Sequence, residues 1–511
     1  MNENPEVRTA HGVVRGRSDG RLALFFGIPF AQAPLGARRF AAPATVEPWE
    51  GVRDAGAFGP SVPQSAVIAQ RRAPLSAPDE SGDWLTLNVW SPDLGAVNLP
   101  VMVWIYGGAY LMGTSDDPRY DGAVLAREGV VYVSLNYRVG TEGFAHIEGA
   151  PDNRGLLDQV AALRWVRENI AAFGGDPGNV TAFGQSAGGG SIAALLTMPS
   201  AAGLFRRAVA QSVPGTFFSP ALAADVGATI AGELGLRPTV TDLATVAPAR
   251  LQAAGDAVTR KLPELAERWG ILTSTPTPYS PVVDGEVLPA SPWRALRAGA
   301  SRGVDLLAGS NRDEFRLFTV LAGGGPEGVT SDQAAAALAT FAPGPAGEAA
   351  YRTAYPAATP GQLHELVKSD WFFRMPTLKL AEAHAAGGGR TWLYELRWSA
   401  TSVGAAHGLD VPLVLGTLRG HPQSALLLGP EPGEDAERLS REMRAAWVSF
   451  ARTGDPGWPR FDETRRLTRV YDSEPSTTTY PEERSRSIWE DHDVDVLDLP
   501  VQREQVATGR P

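Results

Sequence analysis

Val180-Thr181-Ala182-Phe183-Gly184-Gln185-Ser186-Ala187-Gly188-Gly189-Gly190 is a β-prone apolar run ending in a serine set among glycines. The helix-prone Ser191-Ile192-Ala193-Ala194-Leu195-Leu196 follows at once. A strand that turns this sharply into a helix holds its central serine in a strained conformation. Only small residues fit two positions to either side, which is the reason for Gly184-x-Ser186-x-Gly188. Such an elbow lifts the hydroxyl clear of the sheet. It also points the first N–H groups of the helix, that of Ala187 foremost, toward the place where negative charge grows when a serine attacks a carbonyl. The five-residue pattern is common by itself; strand before and helix after make it informative.

Upstream of the elbow, Leu99-Pro100-Val101-Met102-Val103-Trp104-Ile105-Tyr106 is a continuous apolar run, as expected of a buried central strand. It ends in Gly107-Gly108-Ala109-Tyr110. Small residues there let backbone N–H groups face a site, so Gly108 and Ala109 are expected to share an oxyanion hole with Ala187. Gly129–Arg138 reads as a second buried strand, and Gly155–Val166 carries apolar residues at helical spacing. Gly174-Gly175-Asp176-Pro177 reads as the turn before the elbow strand. Alternation of strands and helices predicts an α/β fold with a large, mostly parallel central sheet flanked by helices. Shorter strands are expected at 11–16, 22–30 and 84–90, and no repeat or heptad pattern is visible.

The chain has 511 residues, and its 43% hydrophobic content supplies ample core for a globular enzyme. Its net charge of −11 is spread out rather than blocked, without a basic stripe, which argues against nucleic acid and anionic membrane surfaces as partners. Cysteine is absent, so disulfides, thiolate metal sites and cysteine nucleophiles are excluded. The first residues lack a basic and then apolar leader pattern, and no 18-residue apolar run occurs. A cytoplasmic location is therefore expected. Abundant Ala, Gly, Pro and Arg suggest a GC-rich bacterial source.

An elbow serine needs a base and an acid, which in this kind of sheet follow it in chain order. His11 and His146 precede Ser186, leaving His364, His384, His407, His421 and His492. His364 and His384 lie in helix-like polar stretches and read as solvated surface residues. His421 sits in a Gly-His-Pro turn, and His492 lies in an acidic run that reads as solvated rather than metal-binding. Leu306-Leu307-Ala308-Gly309-Ser310-Asn311-Arg312-Asp313-Glu314 is an apolar strand ending in a polar turn, where either Asp313 or Glu314 could serve as the acid.

A set of ordered motifs goes further. Gly27-Ile28-Pro29-Phe30-Ala31, Leu87-Asn88-Val89-Trp90, Trp104-Ile105-Tyr106-Gly107-Gly108-Ala109, Asn136-Tyr137-Arg138, Gly174-Gly175-Asp176-Pro177 and Gly184-Gln185-Ser186-Ala187-Gly188-Gly189 resemble the type B carboxylesterase family. That family includes the cholinesterases, and the nearest look is to bacterial para-nitrobenzyl esterases. The resemblance spans about residues 8 to 480. It implies an α/β-hydrolase fold in one catalytic domain over 1–511, with helical insertions at roughly 217–290 and 319–400 capping an active-site gorge. It also implies a Ser-Glu-His triad hydrolysing small to medium carboxylic esters through an acyl-enzyme on Ser186. His407, in Ala406-His407-Gly408 before an apolar segment, resembles the family's histidine, and Glu314 falls on the acid of its Asp-Glu-Gly motif. Ser212 matches a position behind the triad.

Departures from the family pattern bear on specificity. Gln185 stands where many relatives carry glutamate before the nucleophile, so selectivity for cationic esters is not expected; Phe315 stands where the family has glycine. Gln185, Tyr110, Phe315 and Phe318 are the expected substrate-wall residues. The loop from Ser61 to Gly82 is expected to form the opposite rim. No metal or cofactor is implied, and a monomer acting on a small-molecule ester is expected. The same triad could serve an amidase, a carbamate hydrolase or an acyl transferase. Retention of all three residues argues against a non-catalytic binding protein of this fold.

Overall fold

The apolar runs assemble into one eleven-stranded sheet in a computed structural model that describes residues 4–65 and 82–500. In chain order its strands are β1 (Arg17–Ser18), β2 (Ala23–Pro29), β3 (Thr86–Ser91), β4 (Leu99–Ile105), β5 (Val131–Leu135) and β6 (Gly175–Gln185). They continue as β7 (Arg207–Gln211), β8 (Asp305–Asn311), β9 (Thr391–Leu396), β10 (Leu467–Tyr471) and β11 (Ser476–Thr479). The spatial order is β11-β10-β9-β8-β7-β6-β4-β5-β3-β2-β1. Every pair from β5 through β4, β6, β7, β8 and β9 to β10 is parallel, while the edges are antiparallel. A three-stranded sheet of Glu6–Arg8, Val13–Arg15 and Val52–Asp54 stands apart.

The central strands are buried over most of their length because helices cover them. Ala187–Leu195 packs on β4, β6 and β7, Glu434–Thr453 on β4 and β6, and Met375–Ala386 on β8 and β9. Glu434–Thr453 shows the logic plainly: Leu439, Met443, Ala446, Trp447 and Phe450 recur at helical spacing and are buried. Glu434, Asp435 and Glu437 occupy its first turn, where they favour the helix dipole, and Gly454 ends it at φ 79. Among the described residues no helix is long and apolar enough to cross a membrane.

Two expectations shift in detail. Gly174 alone makes the turn before the elbow strand, at φ 86, because Asp176 and Pro177 already belong to β6. The second helical insertion does not run to residue 400. Its last helix ends at Ala386, and Thr391–Leu396 is a fully buried strand between β8 and β10. Helices occupy 220–297, between β7 and β8, and 316–386, between β8 and β9. Most of the expected 61–82 rim loop, residues 66–81, lies outside the described residues.

One helical stretch carries an interruption that matters for the site. Pro360–Ser369 passes through a π-helical turn, Asp370–Arg374, into Met375–Ala386. Pro376 has no N–H to give to the Phe372 carbonyl. That carbonyl accepts from Gly215 N–H instead, at 3.0 Å. Such extra-residue turns cluster at functional sites, and this one carries Phe372 and Phe373.

Candidate active site

The chain leaves β4 and turns back on itself in space, β5 lying on one side and β6 on the other. Such switch points are where open α/β sheets bind ligands beyond their strands' carboxyl ends. Gly107–Ala109 leaves β4 there, Ser186 leaves β6, and Glu314 follows β8; His407 lies on the loop after β9.

Ser186 has φ 60 and ψ −125, a strained conformation for any residue with a Cβ. Crowding enforces it. A Cβ on Gly184 would lie 2.6 Å from the Ile105 carbonyl, one on Gly188 would strike the same carbonyl, and one on Gly107 would come within 2.5 Å of the Gln185 carbonyl. The spacing read from the sequence is thus a packing requirement between the ends of β4 and β6. Ser186 N–H is tied to the Gln211 carbonyl at 2.9 Å, which fixes the elbow to β7.

Ala109 and Tyr110 both have positive φ, 56° and 55°, and Gly108 has φ 131. Leu111 and Met112 N–H close this tight turn on the Gly108 carbonyl. Among the described residues neither the Gly108 and Ala109 amides nor the Ala187 amide find an acceptor. Free N–H groups beside a strained serine are what an oxyanion needs.

Glu314 is fully buried, and its carboxylate is completely engaged. Oε1 accepts from Ser212 Oγ at 2.6 Å and from Asn311 N–H at 2.8 Å; Oε2 faces His407 Nδ1 at 2.5 Å. Asp313, its rival in the sequence, turns the other way. Its carboxylate accepts from Ala405 N–H at 2.9 Å and pairs with Arg312 and Arg316. Burial pushes the Asp313 carboxyl up, but the hydrogen bond and charge of Arg312, with Arg316, outweigh it and hold the group below its ordinary value. The histidine loop is laced to the acid turn by Asp313 N–H on Ala405 O, Asn311 Nδ2 on Ala406 O and His407 N–H on Glu314 O.

The His407 ring is 6% exposed for the residue as a whole and stacks on Phe373 at 4.2 Å, with Phe318 tilted against it at 5.3 Å. Gln185 approaches it too, its Nε2 lying 3.1 Å from Nε2 and 3.5 Å from Nδ1 of the ring. A nitrogen so near both ring nitrogens must sit over the imidazole, since in the ring plane it would collide with Cε1. The in-plane lone pair of Nε2 is thereby left open. Among the described residues no hydrogen bond joins it to the Ser186 hydroxyl, which is common before substrate binds.

Sequence reasoning missed several neighbours. Phe373 is placed on the His407 ring by the π turn, which no local pattern announces. Asp410, buried three residues beyond His407, accepts from Gln211 Nε2 at 2.7 Å and Tyr394 OH at 2.8 Å, and burial raises its carboxyl. Gln185, expected on the substrate wall, covers the His407 ring. Tyr110 does not line an open wall: it is 2% exposed, its ring against Phe144 at 4.6 Å. Phe315 and Phe318 remain half-buried and 5.3 Å apart. His384 is not a surface residue either. It is buried beneath β9, Nδ1 2.8 Å from Thr391 Oγ1, because its helix packs that face on the sheet.

Comparison with known proteins places this geometry. The profile described as "Carboxylesterase family" matches residues 3–489. A para-nitrobenzyl esterase of Bacillus subtilis (strain 168) is 38% identical over 94% of this chain and 97% of its own. Carboxylesterase 3 of Homo sapiens is 34% identical over 91% and 87% respectively. The crystal structure of a Geobacillus stearothermophilus carboxylesterase superposes with a TM-score of 0.83 at 35% identity, covering 95% of this chain and 99% of that one.

Proposed function

The chain belongs to the carboxylesterase family and is a carboxylic ester hydrolase of α/β-hydrolase fold, and from that premise we propose that Ser186, His407 and Glu314 are its catalytic residues. The observation that carries this reading is the buried Glu314 Oε2 to His407 Nδ1 contact at 2.5 Å beside the elbow serine. Because Oε1 is held by two donors, Oε2 is free to accept from Nδ1–H, which leaves Nε2 as the acceptor a general base needs.

Ser186 attacks the ester carbonyl while His407 Nε2 takes its proton. The carbonyl oxygen, now negative, is held by the N–H groups of Gly108, Ala109 and Ala187, each donor worth on the order of 3 kcal/mol of barrier. His407 returns the proton to the leaving alcohol, and an acyl group remains on Ser186. Water then attacks the acyl carbonyl as His407 takes its proton, and His407 passes that proton to Ser186 Oγ as the acyl–oxygen bond breaks and the acid leaves. Glu314 orients the ring and stabilises each imidazolium.

Small to medium esters are the proposed substrates, supported by the para-nitrobenzyl esterase likeness and by the aromatic residues at His407. That likeness also supports placing the chain with bacterial enzymes of the family; a cytoplasmic monomer acting as one catalytic unit completes the proposal. The test is turnover of a p-nitrophenyl ester series, with an anilide alongside, by the wild type and by Ser186→Ala. Loss of ester turnover in the variant is expected. Turnover untouched by the substitution would remove Ser186 from the mechanism.

A further inference from the structure

The base does not stand alone at the end of the sheet; an aromatic wall runs away from it. His407 meets Phe318 at 5.3 Å, Phe318 meets Phe315 at 5.3 Å, and the Lys368 ammonium lies 4.6 Å from the Phe315 ring and 5.4 Å from that of Phe341. Phe315 and Phe318 come from the helix region just after Glu314, and Lys368 from the helix Pro360–Ser369 that packs beside it, Phe315 N–H being tied to Ser369 Oγ at 3.0 Å. Both rings are only half-buried, so part of the wall is open.

Lys368 is half-buried on that wall without a counter-charge. Among the described residues no carboxylate lies within 4.0 Å of its ammonium. The acid one turn earlier, Glu365, is taken by Arg316 at 2.8 Å. Burial alone pulls the lysine below its ordinary value, and no acid offsets it. His364, one helical turn before Lys368 and edge-on to Phe315 at 6.1 Å, is pushed down to about 4, first by burial and then by the Lys368 charge. At neutral pH the pair therefore offers one cation and one neutral imidazole, both donors, at the end of an apolar track. The Phe315 and Phe341 rings face the ammonium, but a partly desolvated cation without a counter-charge still favours an anionic ligand. The residue before the nucleophile, Gln185, carries no charge to repel an anion.

Resting on the esterase reading above, we infer that Lys368, with His364 beside it, is a carboxylate-binding subsite, and that the preferred substrates are esters carrying a carboxylate on a flexible apolar arm. The arm lies along Phe318 and Phe315 while the ester sits at Ser186. The steps from His407 to Phe318, Phe315 and the Lys368 ammonium, 5.3, 5.3 and 4.6 Å, set an upper bound on the span, and an extended arm of eight to twelve atoms, roughly 10–15 Å long, covers it.

Two matched pairs test this: p-nitrophenyl hydrogen suberate against p-nitrophenyl octanoate, with the charge on the acyl arm, and 8-acetoxyoctanoate against octyl acetate, with the charge on the alcohol arm. The readout is the ratio of kcat/KM for the anionic over the neutral member, which cancels any loss of folded enzyme. In Lys368→Met the ratio is expected to fall about five- to tenfold, as for a charge-assisted contact in a partly screened site, mainly through KM. Lys368→Arg should restore most of it and Lys368→Glu should lower it further. A fall in either pair supports the subsite and tells which arm it serves; a ratio unchanged in both pairs for Met and Glu variants overturns it. Failure of the esterase reading is separate, and shows as neutral-ester turnover that survives Ser186→Ala.

Discussion

Replacing Glu314 by glutamine removes one charge and almost no volume, so it isolates what the acid does. In the wild type Oε1 is held by Ser212 Oγ and Asn311 N–H, both donors. Glutamine must keep its carbonyl there, which turns its NH2 toward His407 Nδ1. Donor then faces donor unless the ring adopts the other tautomer, with the proton on Nε2, where it cannot accept from Ser186. The imidazolium formed during attack also loses its counter-charge. At a separation of about 4 Å and an effective dielectric near 20 that attraction is about 4 kcal/mol, or about a 10³-fold fall in kcat. The control is Asp313→Asn. Its carbonyl can keep the Ala405 N–H, and what it loses are ion pairs to Arg312 and Arg316, whose side chains are 37% and 22% exposed. A fall of less than about tenfold is expected there, with most of the effect on melting temperature, since partly exposed pairs contribute little. Steady-state hydrolysis of p-nitrophenyl acetate with parallel thermal melts reads both. If Asp313→Asn loses as much kcat as Glu314→Gln at an unchanged melting temperature, the assignment of the acid is wrong.

Other perturbations follow from the same contacts. Ser212→Ala leaves Glu314 with one donor fewer, and the lost hydrogen bond to a buried charge, about 1.5–3 kcal/mol, should lower kcat/KM by roughly tenfold or more; an unchanged rate would assign the hydroxyl to packing. Gly188→Ala drives a methyl group into the Ile105 carbonyl, so soluble, fully active enzyme from that variant would contradict the elbow geometry. Arg138 and Asp158 are paired at 2.8 Å with 1% and 0% side-chain exposure; Arg138→Met leaves the carboxylate alone and should cost about 3–5 kcal/mol, read by denaturant unfolding. Glu395 is buried against Arg397, and burial, with the charge of Glu482, raises its carboxyl to about 8. The native state thus holds this proton more tightly than the unfolded chain, so its contribution is fully present below the ordinary glutamate range and is lost as pH rises through about 8. Between pH 6 and pH 9 the wild type should lose a few degrees more in melting temperature than Glu395→Gln, and equal losses would clear Glu395 of the effect.

Much of this site was legible because its signals are local. The Gly184-x-Ser186-x-Gly188 spacing, the small residues after β4 and the apolar central strands follow from sterics and burial within a few residues, and the same motifs marked the family. His407 and Glu314 were reached only through the family's motif order, since local context set the other four histidines aside without giving His407 a role and left two adjacent acids open.

The sequence by itself determined that a strained serine would sit at a strand-to-helix turn beside a glycine-rich strand end, since only one backbone geometry accommodates those small residues. The tertiary structure decided what meets it. Asp313 and Glu314 are neighbours in the chain, yet one staples a loop and the other meets the His407 ring, because the turn after β8 sends their carboxylates apart, one to Ala405 N–H and the other to Ser212 Oγ and His407 Nδ1. Phe373 over the imidazole, Gln185 across it, Tyr110 folded into the core and Lys368 alone on an aromatic wall all arise from elements brought together across long sequence separations. Local propensity carries no information about such encounters; the packing of the whole sheet and its inserted helices supplies it.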